Sequence, residues 1–191
     1  MTKKNFDTRK LTYLALFTAI VAVLQYIGGF IKLGTFSVSL VLVPIVVGAA
    51  VCGAISGAWL GLVFAGMVFA TGDAAFFLTI SIPGTIITVV VKGVLAGLCA
   101  GLVYKLFEKE NVYVATIASA IVCPIVNTGI FLLGCRLFFF ETVAGWATAE
   151  GQSVGAYMIV GLAGLNFIFE LIFNLVLSPV AVRIIRIGKK K

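Results

Sequence analysis

Long apolar segments, separated by short polar or glycine-rich breaks, occupy the chain from about residue 11 almost to its end. Because a helix needs about 20 apolar residues to cross a bilayer, the pattern predicts a membrane-spanning helix in each segment. We expect an all-α integral membrane protein with six transmembrane helices in one bundle, forming a single membrane domain over residues 1–191. The predicted helices cover approximately residues 11–30, 37–53, 56–71, 83–105, 113–139 and 156–185.

Two boundaries between these predicted helices are weakly marked. The break between the second and third helices depends on Gly53, Ser56 and Gly57. The third helix is short, and the sequence TGDAAFFLTISIPG after it mixes turn residues with a short apolar piece. That piece fits a re-entrant or interfacial segment.

Positive charge is concentrated near both ends of the chain and in one internal loop, KLFEKEN (105–111). Since Lys and Arg are enriched in cytoplasmic segments, we expect both termini and this loop on the cytoplasmic side of the plasma membrane. Six crossings return the termini to one side, in agreement with the charge. A cleaved signal peptide would leave five crossings, so we interpret the first helix as uncleaved.

The composition argues against several classes of function. The chain is 62% hydrophobic and only 11% charged, whereas soluble domains have about 25% charged residues. It has no histidine, and its four cysteines form no CxxC pair, so we expect neither a metal site nor a disulfide framework. No GxxxxGK[ST] motif indicates ATP binding. The basic residues are not interleaved with aromatic ones, so we expect no nucleic-acid partner.

Polar residues interrupt the apolar helices at one predicted depth. Asn166, Glu170 and Asn174 recur at four-residue intervals, which places them on one helix face. At a rise of about 1.5 Å per residue, Glu170, Lys92 and Asn127 each lie about 20 Å from the predicted cytoplasmic ends of their helices. Even on a lenient scale a charge near the bilayer centre costs about 2.5–3.5 kcal/mol, so such residues normally face the bundle interior.

Two interpretations of this polar layer are open. It is either a buried Lys92–Glu170 ion pair with asparagines as interhelical hydrogen bonds, or a pocket for a small polar ligand. We favour the pocket, because structural bonding alone gives no reason to concentrate so many polar groups at one depth. The expected lining is Lys92, Asn127, Thr128, Asn166, Glu170 and Asn174, with Phe131, Phe167 or Phe173 as aromatic walls and Arg136 nearer the outer mouth.

Two predicted outer connectors flank this pocket. Residues 28–36 carry Lys32 between glycines, and residues 141–155 carry Trp146, a residue type frequent at membrane interfaces. Such segments fit moving lids and ordinary loops equally well.

Small residues mark helix faces in three predicted helices. Small residues four apart let helix backbones approach closely in lipid. For the third and fourth helices, packing inside the bundle explains the pattern; for Ala15 and Ala19 in the first helix, docking of another membrane subunit competes with packing. The glycines of the third and fourth helices are Gly57, Gly61, Gly93, Gly97 and Gly101.

Together, these features resemble the S components of energy-coupling factor (ECF) transporters, and within them the folate, pantothenate and riboflavin group. The resemblance lies in the order of a basic N-terminus, ALFTA, IKLGTF, the glycine-rich start of the third helix and the Asn/Glu pattern of the sixth. It implies a six-helix subunit that captures a vitamin-like ligand. Its partners would be a transmembrane coupling (T) subunit and two ATPase subunits, which would bind ATP, while this chain would need no cofactor.

The resemblance also implies roles for particular residues. Ala15 and Ala19 match the family's docking face for the coupling subunit, and the family's pocket uses the first outer loop with the fourth to sixth helices.

If Glu170 neutralises Lys92, then Lys32 and Arg136 remain for a carboxylate, which favours an anionic vitamin such as pantothenate or folate. A stand-alone carrier or channel is the alternative, and an enzyme is disfavoured because histidine and paired carboxylates are missing.

Overall fold

Helices dominate the part of the chain that the computed structural model describes, residues 8–28, 32–33, 36–37 and 40–189. Two two-residue strands, β1 (Lys32–Leu33) and β2 (Phe36–Ser37), pair antiparallel between the first two helices. The prediction of a helical protein is therefore confirmed. The helices are α1 Thr8–Gly28, α2 Leu42–Cys52, α3 Ala54–Ala70, α4 Ala75–Ile80, α5 Ile82–Phe107, α6 Val112–Phe138, α7 Phe140–Ala149, α8 Val154–Ala156, a π-helix Tyr157–Gly164 and α9 Leu165–Lys189.

Four helical segments of the described chain are long and apolar enough to cross a membrane: α1, α5, α6 and the continuous run Val154–Lys189. The helices α2 and α3 are apolar too, but they have only 11 and 17 residues. A helix of 11 residues is about 16 Å long, roughly half the thickness of the hydrocarbon core. The length of the helices therefore supports four crossings directly, whereas six would require α2 and α3 to cross as well.

The break between α2 and α3 lies at Gly53. Its φ of 98° and ψ of 165° belong to a region that side chains with a Cβ atom rarely adopt. The glycine ends one helix and begins the next without an intervening loop, which explains why the sequence marks this boundary only weakly.

The segments that the sequence predicts on the outer side are more helical than their sequences suggest. The apolar piece after α3 forms the short helix α4, and Ser81 then caps α5 by accepting a hydrogen bond from the Gly84 amide at 3.2 Å. The predicted connector 141–155 contains most of α7, which buries Val143 and Ala147 on one face. That four-residue spacing of buried side chains is a helical pattern in a segment whose glycines suggest a loop.

Helix α5 is central, packing against α3 on one side and α6 on the other. The α3–α5 contact is made by glycine on both helices: Gly57 lies against Gly97, and Gly61 against Gly93. A Cβ atom added at Gly57 or Gly61 would fall well inside van der Waals contact with the opposite carbonyl oxygen. Intramolecular packing therefore accounts for these glycines.

The two ends of the described chain lie at one end of the bundle. Arg9 in α1 and Lys189 in α9 line a common cavity with Lys105 and Glu108, which lie at the connection between α5 and α6. The basic residues near both ends of the sequence and in its internal loop are therefore also close together in space.

Candidate functional site

A cavity lies between the long helices, lined by α1, α3, α5, α6, the π-helix and α9. Short segments cover it: Asp73 and Ala74 before α4, Phe77 within α4, and Phe139 between α6 and α7. The predicted residues that line it are Lys92, Asn127, Thr128, Phe131, Asn166 and Glu170.

Glu170 is the centre of the polar lining and is 1% exposed. Its Oε1 accepts a hydrogen bond from Asn166 Nδ2 at 3.1 Å, along the same helix. Its Oε2 accepts a long hydrogen bond from Asn127 Nδ2 at 3.5 Å, across from α6. Because an ionised carboxylate only accepts, both amides must turn their NH₂ groups toward Glu170 and their oxygens away from it.

Four buried polar atoms around the cavity have no hydrogen-bond partner among the described residues. They are Gln25 Oε1, Thr88 Oγ1, Asn127 Oδ1 and Asn166 Oδ1. A buried polar group without a partner costs about 1–3 kcal/mol, so most native structures contain few of them. Their convergence on one cavity makes it a site that offers acceptors to a ligand with N–H or O–H groups.

Lys92 brings a positive charge to the same cavity. Its Nζ atom lies 5.6 Å from the ring centroid of Phe64 and 5.5 Å from that of Phe131, within the range of cation–π attraction. No salt bridge joins Lys92 to a carboxylate of the described residues. The direct Lys92–Glu170 ion pair that the sequence allowed is therefore not formed, although both residues line the cavity.

A second carboxylate lines the cavity, that of Asp73. Its Oδ2 accepts hydrogen bonds from Gln25 Nε2 at 2.7 Å and from Thr71 Oγ1 at 3.0 Å. Gln25 is only 2% exposed, although its helix α1 is mostly apolar and presents much of its surface to the outside. Among the described residues the lining therefore carries one cation, Lys92, and two carboxylates, those of Asp73 and Glu170.

Aromatic side chains close the cavity on the side of α4 and α7. The ring of Phe77 lies 5.7 Å from Phe131, 5.0 Å from Phe139 and 6.5 Å from Trp146, measured between centroids. These distances are typical of edge-to-face aromatic packing. Of the three phenylalanines expected as walls, Phe131 lines the cavity, whereas Phe167 and Phe173 do not.

Of three further residues expected at the site, two lie elsewhere, and the side chain of the third is outside the described part of the chain. Arg136 is exposed, with its guanidinium carbon 5.6 Å from the ring centroid of Phe140, and does not line the cavity. Asn174 is buried one turn beyond Glu170, where its amide donates to the Glu170 backbone carbonyl at 2.7 Å. Lys32 lies in β1, but its side chain is outside the described part of the chain.

Several lining residues were not predicted. Gln25 had a signal that sequence reasoning could have used, since it is the one amide in the apolar first helix. Thr85, Thr88 and Phe77 had none, because threonine and phenylalanine are ordinary residues of membrane helices. The π-helix, which contributes Leu162 and Ala163, was also unexpected; such segments are frequent at functional sites.

The small residues of α1 differ from the glycines of α3 and α5. Ala15 and Ala19 are exposed, together with the large side chains of Leu16 and Val23 on the same helix. Packing within the described bundle therefore does not explain Ala15 and Ala19, and this surface is free for another contact.

An apolar helical bundle that encloses a polar cavity defines a class: a membrane protein with a candidate site for a small polar solute. A family model described as ECF transporter, substrate-specific component, matches residues 9–182. The chain therefore belongs to the substrate-specific components of ECF transporters, which are transport subunits and not enzymes. No curated protein and no solved structure matches the chain.

Proposed function

We propose that the cavity lined by Glu170 and Lys92 is the substrate site, and that it captures a vitamin or similar micronutrient from outside the cell. The observation that supports this most strongly is that, among the described residues, four acceptors without a hydrogen-bond partner and one lysine converge on a single buried cavity. Uptake would be driven by partners, a transmembrane coupling subunit and two ATPase subunits that bind ATP. Family membership supports such an association.

The lining restricts the chemistry of the substrate. The acceptors on Gln25, Thr88, Asn127 and Asn166 call for hydroxyl or amide N–H groups on the ligand. Lys92, which has donors only, calls for an acceptor such as a carboxylate. Pantothenate, a hydroxylated amide with one carboxylate, combines these features, and we propose it or another anionic vitamin.

The two carboxylates in the lining limit how much an anionic group of the substrate can add to its affinity. Asp73 and Glu170 repel a substrate carboxylate, so it would have to lie close to Lys92 and away from both. The sequence-based choice of Arg136 as a carboxylate partner is replaced here by Lys92, because Arg136 does not line the cavity. The net contribution of the carboxylate to affinity would then be modest, about tenfold, as for one charged hydrogen bond.

A thermal-shift screen of the purified chain against water-soluble vitamins tests the proposal. A ligand at a thousandfold excess over its Kd raises the free energy of unfolding by about 4 kcal/mol. Pantothenate and its alcohol analogue panthenol, in which a hydroxymethyl group replaces the carboxylate, form a matched pair of ligands. We expect pantothenate to bind about tenfold more tightly, and Lys92→Gln to remove that difference.

Arg136→Gln is the control, since it removes the same charge from outside the cavity. Equal effects of Lys92→Gln and Arg136→Gln would contradict the assignment of Lys92. A different vitamin that binds, with loss of binding in Lys92→Gln, would keep the site and change the substrate. No response to any vitamin would contradict the substrate class.

The proposed topology has six crossings, with both termini on the cytoplasmic side of the plasma membrane. It rests on α2 and α3 crossing together with the four longer helical segments. The clustering of Arg9, Lys105 and Lys189 at one end of the bundle supports a cytoplasmic position for that end. Labelling of single cysteines placed at residues 109 and 150 from either side of the membrane would test the orientation.

We also propose that the exposed face of α1 docks the coupling subunit. Ala15 and Ala19 allow a partner helix to approach closely, and neither is covered by the described bundle. Ala19→Leu should abolish co-purification of the coupling subunit while the isolated chain still binds its ligand.

Gly129→Leu is the matched control for Ala19→Leu, because a Cβ atom placed at Gly129 of α6 meets no atom within 4 Å. Unchanged co-purification of Ala19→Leu would contradict the docking face. Ligand uptake into vesicles that contain this chain alone would instead favour a stand-alone carrier.

A further inference from the structure

A second cavity lies where α1 begins and α9 ends, and its lining is strongly basic. Of the described residues, four cations line it, Arg9, Lys10, Lys105 and Lys189, with one carboxylate, Glu108. Glu108 forms a salt bridge with Lys189. Among the described residues no carboxylate pairs with the other three cations, so the cavity carries a net positive charge that is open to an anion.

Two neutral groups add hydrogen-bond donors to the same cavity. Tyr104 is 2% exposed, and its buried hydroxyl, which lies near the Lys189 ammonium, accepts or donates no hydrogen bond within 3.5 Å among the described residues. The N-terminus of α3 also opens here through Gly53, Ala54 and Ile55, and no side chain caps it. Backbone N–H groups at a helix N-terminus bind anions readily, phosphate above all.

Lys10 connects the cations with this helix end. A Cβ atom placed on Gly53 would lie 3.8 Å from the Lys10 ammonium, so the charge stands beside the first turn of α3. The ammonium and the first residues of α3 therefore border the same part of the cavity. The buried hydroxyl of Tyr104 lines the same space from α5.

The rim of the cavity is apolar. Ile55 is 85% exposed and Leu102 is 48% exposed, and both line it. Exposed apolar side chains beside a basic cavity match a molecule that has an anionic head and hydrocarbon chains. Basic pockets between transmembrane helices on the cytoplasmic side are suited to the headgroups of anionic lipids.

We propose that this cavity binds the phosphate of an anionic phospholipid, with Lys10, Tyr104 and the α3 N-terminus as its ligands. The acyl chains would lie along Ile55 and Leu102. A free phosphate ion shares the headgroup chemistry but makes no use of the apolar rim. The site is separate from the proposed substrate site, since no residue in the described part of the chain lines both cavities.

Native mass spectrometry of the full-length chain in detergent measures this binding directly. The probes are dihexanoyl phosphatidylglycerol, the zwitterionic dihexanoyl phosphatidylcholine and inorganic phosphate. Both lipids carry a phosphate, but the basic lining repels the choline cation of phosphatidylcholine, so we expect one phosphatidylglycerol to bind at least about tenfold more tightly. Phosphatidylcholine that binds equally well would overturn the proposal, and phosphate that competes at equal concentration would overturn the role of the rim.

Two pairs of variants separate the site from general electrostatic attraction. Lys10→Gln and Tyr104→Phe should each weaken phosphatidylglycerol binding about tenfold. Lys109→Gln removes the same charge, and Tyr113→Phe the same hydroxyl, from residues outside the cavity, so both should bind as wild type does. Equal losses in Lys10→Gln and Lys109→Gln, or no loss in Tyr104→Phe, would overturn the assignment. Tyr104→Phe keeps the buried ring beneath the Lys189 ammonium, 4.4 Å away, which preserves the fold.

Discussion

Helix α5 takes part in two regions with different contacts. One packs backbone closely on backbone, and the other lines a cavity with polar atoms. On one side, Gly93 and Gly97 lie directly against glycines of α3, and backbone packs on backbone. On another side, Thr88 and Lys92 line the cavity, where buried acceptors have no partner among the described residues. The first region gains from complete contact, whereas the second keeps polar groups available at a cost to stability.

The comparison suggests how one helix serves both stability and binding. Close glycine packing holds α3 and α5 together without a polar group, so it can offset the cost of the polar cavity beside it. Disturbing the close contact in the first region should therefore lower stability, and removing polar atoms from the second should lower ligand affinity. Three pairs of variants test this division.

The largest effect is expected for Gly61→Ala in the glycine contact. The added methyl group would clash with the carbonyl oxygen of Gly93, which is backbone and cannot move aside cheaply. We expect the free energy of unfolding to fall by about 3 kcal/mol, the upper part of the range for overpacking. Thermal unfolding in detergent would measure the change.

Gly66→Ala is the control in the same helix, because a Cβ atom at Gly66 meets nothing within 4 Å. It should be neutral, or stabilise by about 0.4–1 kcal/mol by restricting the unfolded chain. If the two alanine variants unfolded at the same temperature, the close contact between α3 and α5 would be wrong.

An intermediate effect is expected for Asn166→Ala in the cavity. The variant loses an acceptor for the ligand, so affinity for the vitamin identified by the screen should fall about tenfold. Asn174→Ala is its match on α9, since Asn174 lies outside the cavity and donates to the Glu170 backbone. Both variants lose one intramolecular hydrogen bond, so each should lose about 1 kcal/mol of stability.

Calorimetric titration would therefore separate Asn166→Ala from Asn174→Ala, although thermal unfolding would not. A tenfold loss of affinity in Asn174→Ala would restore the sequence-based prediction that Asn174 contacts the ligand. It would then contradict the boundary of the cavity described here.

The smallest effect is expected for Thr88→Val, which removes an unpartnered hydroxyl without changing the shape of the side chain. The ligand-free protein should become more stable by about 1 kcal/mol, while affinity should fall about threefold. Thr116→Val is the control, because the Thr116 hydroxyl already donates to the Val112 carbonyl at 2.7 Å. Thr116→Val should lower the free energy of unfolding by a few tenths of a kcal/mol. If Thr88→Val were destabilised as well, the Thr88 hydroxyl would have a hydrogen-bond partner in the ligand-free protein.

Several features of the site were within reach of the sequence. The spacing of Asn166 and Glu170 predicts a shared helix face, and the structure shows the hydrogen bond between them. Equal distances from the predicted helix ends brought Lys92, Asn127 and Glu170 to one level, and all three line one cavity. These arguments use helical rise and periodicity, which are local properties that every α-helix shares.

Other features required the packed bundle. Predicted depth alone did not exclude Arg136 or Asn174 from the cavity lining. Which side chains face the cavity depends on the rotation of each helix about its axis and on where the π-helix starts, and neighbouring helices set both. The sequence suggested a direct Lys92–Glu170 ion pair, but whether two charges at one level meet depends on what lies between them. The same limit applies to the connector 141–155, which becomes helical where Val143 and Ala147 find a surface to pack on.

The sequence by itself determined that this protein is a helical membrane protein and that its polar residues share one level. It did so because the bilayer requires long apolar helices and penalises isolated charges. Only the tertiary structure decided which polar atoms remain without a partner, that Gln25 and Asp73 join the cavity, and that Ala15 and Ala19 stay outside the bundle. Those outcomes depend on contacts between helices distant in sequence, and side-chain spacing within one helix carries no information about them.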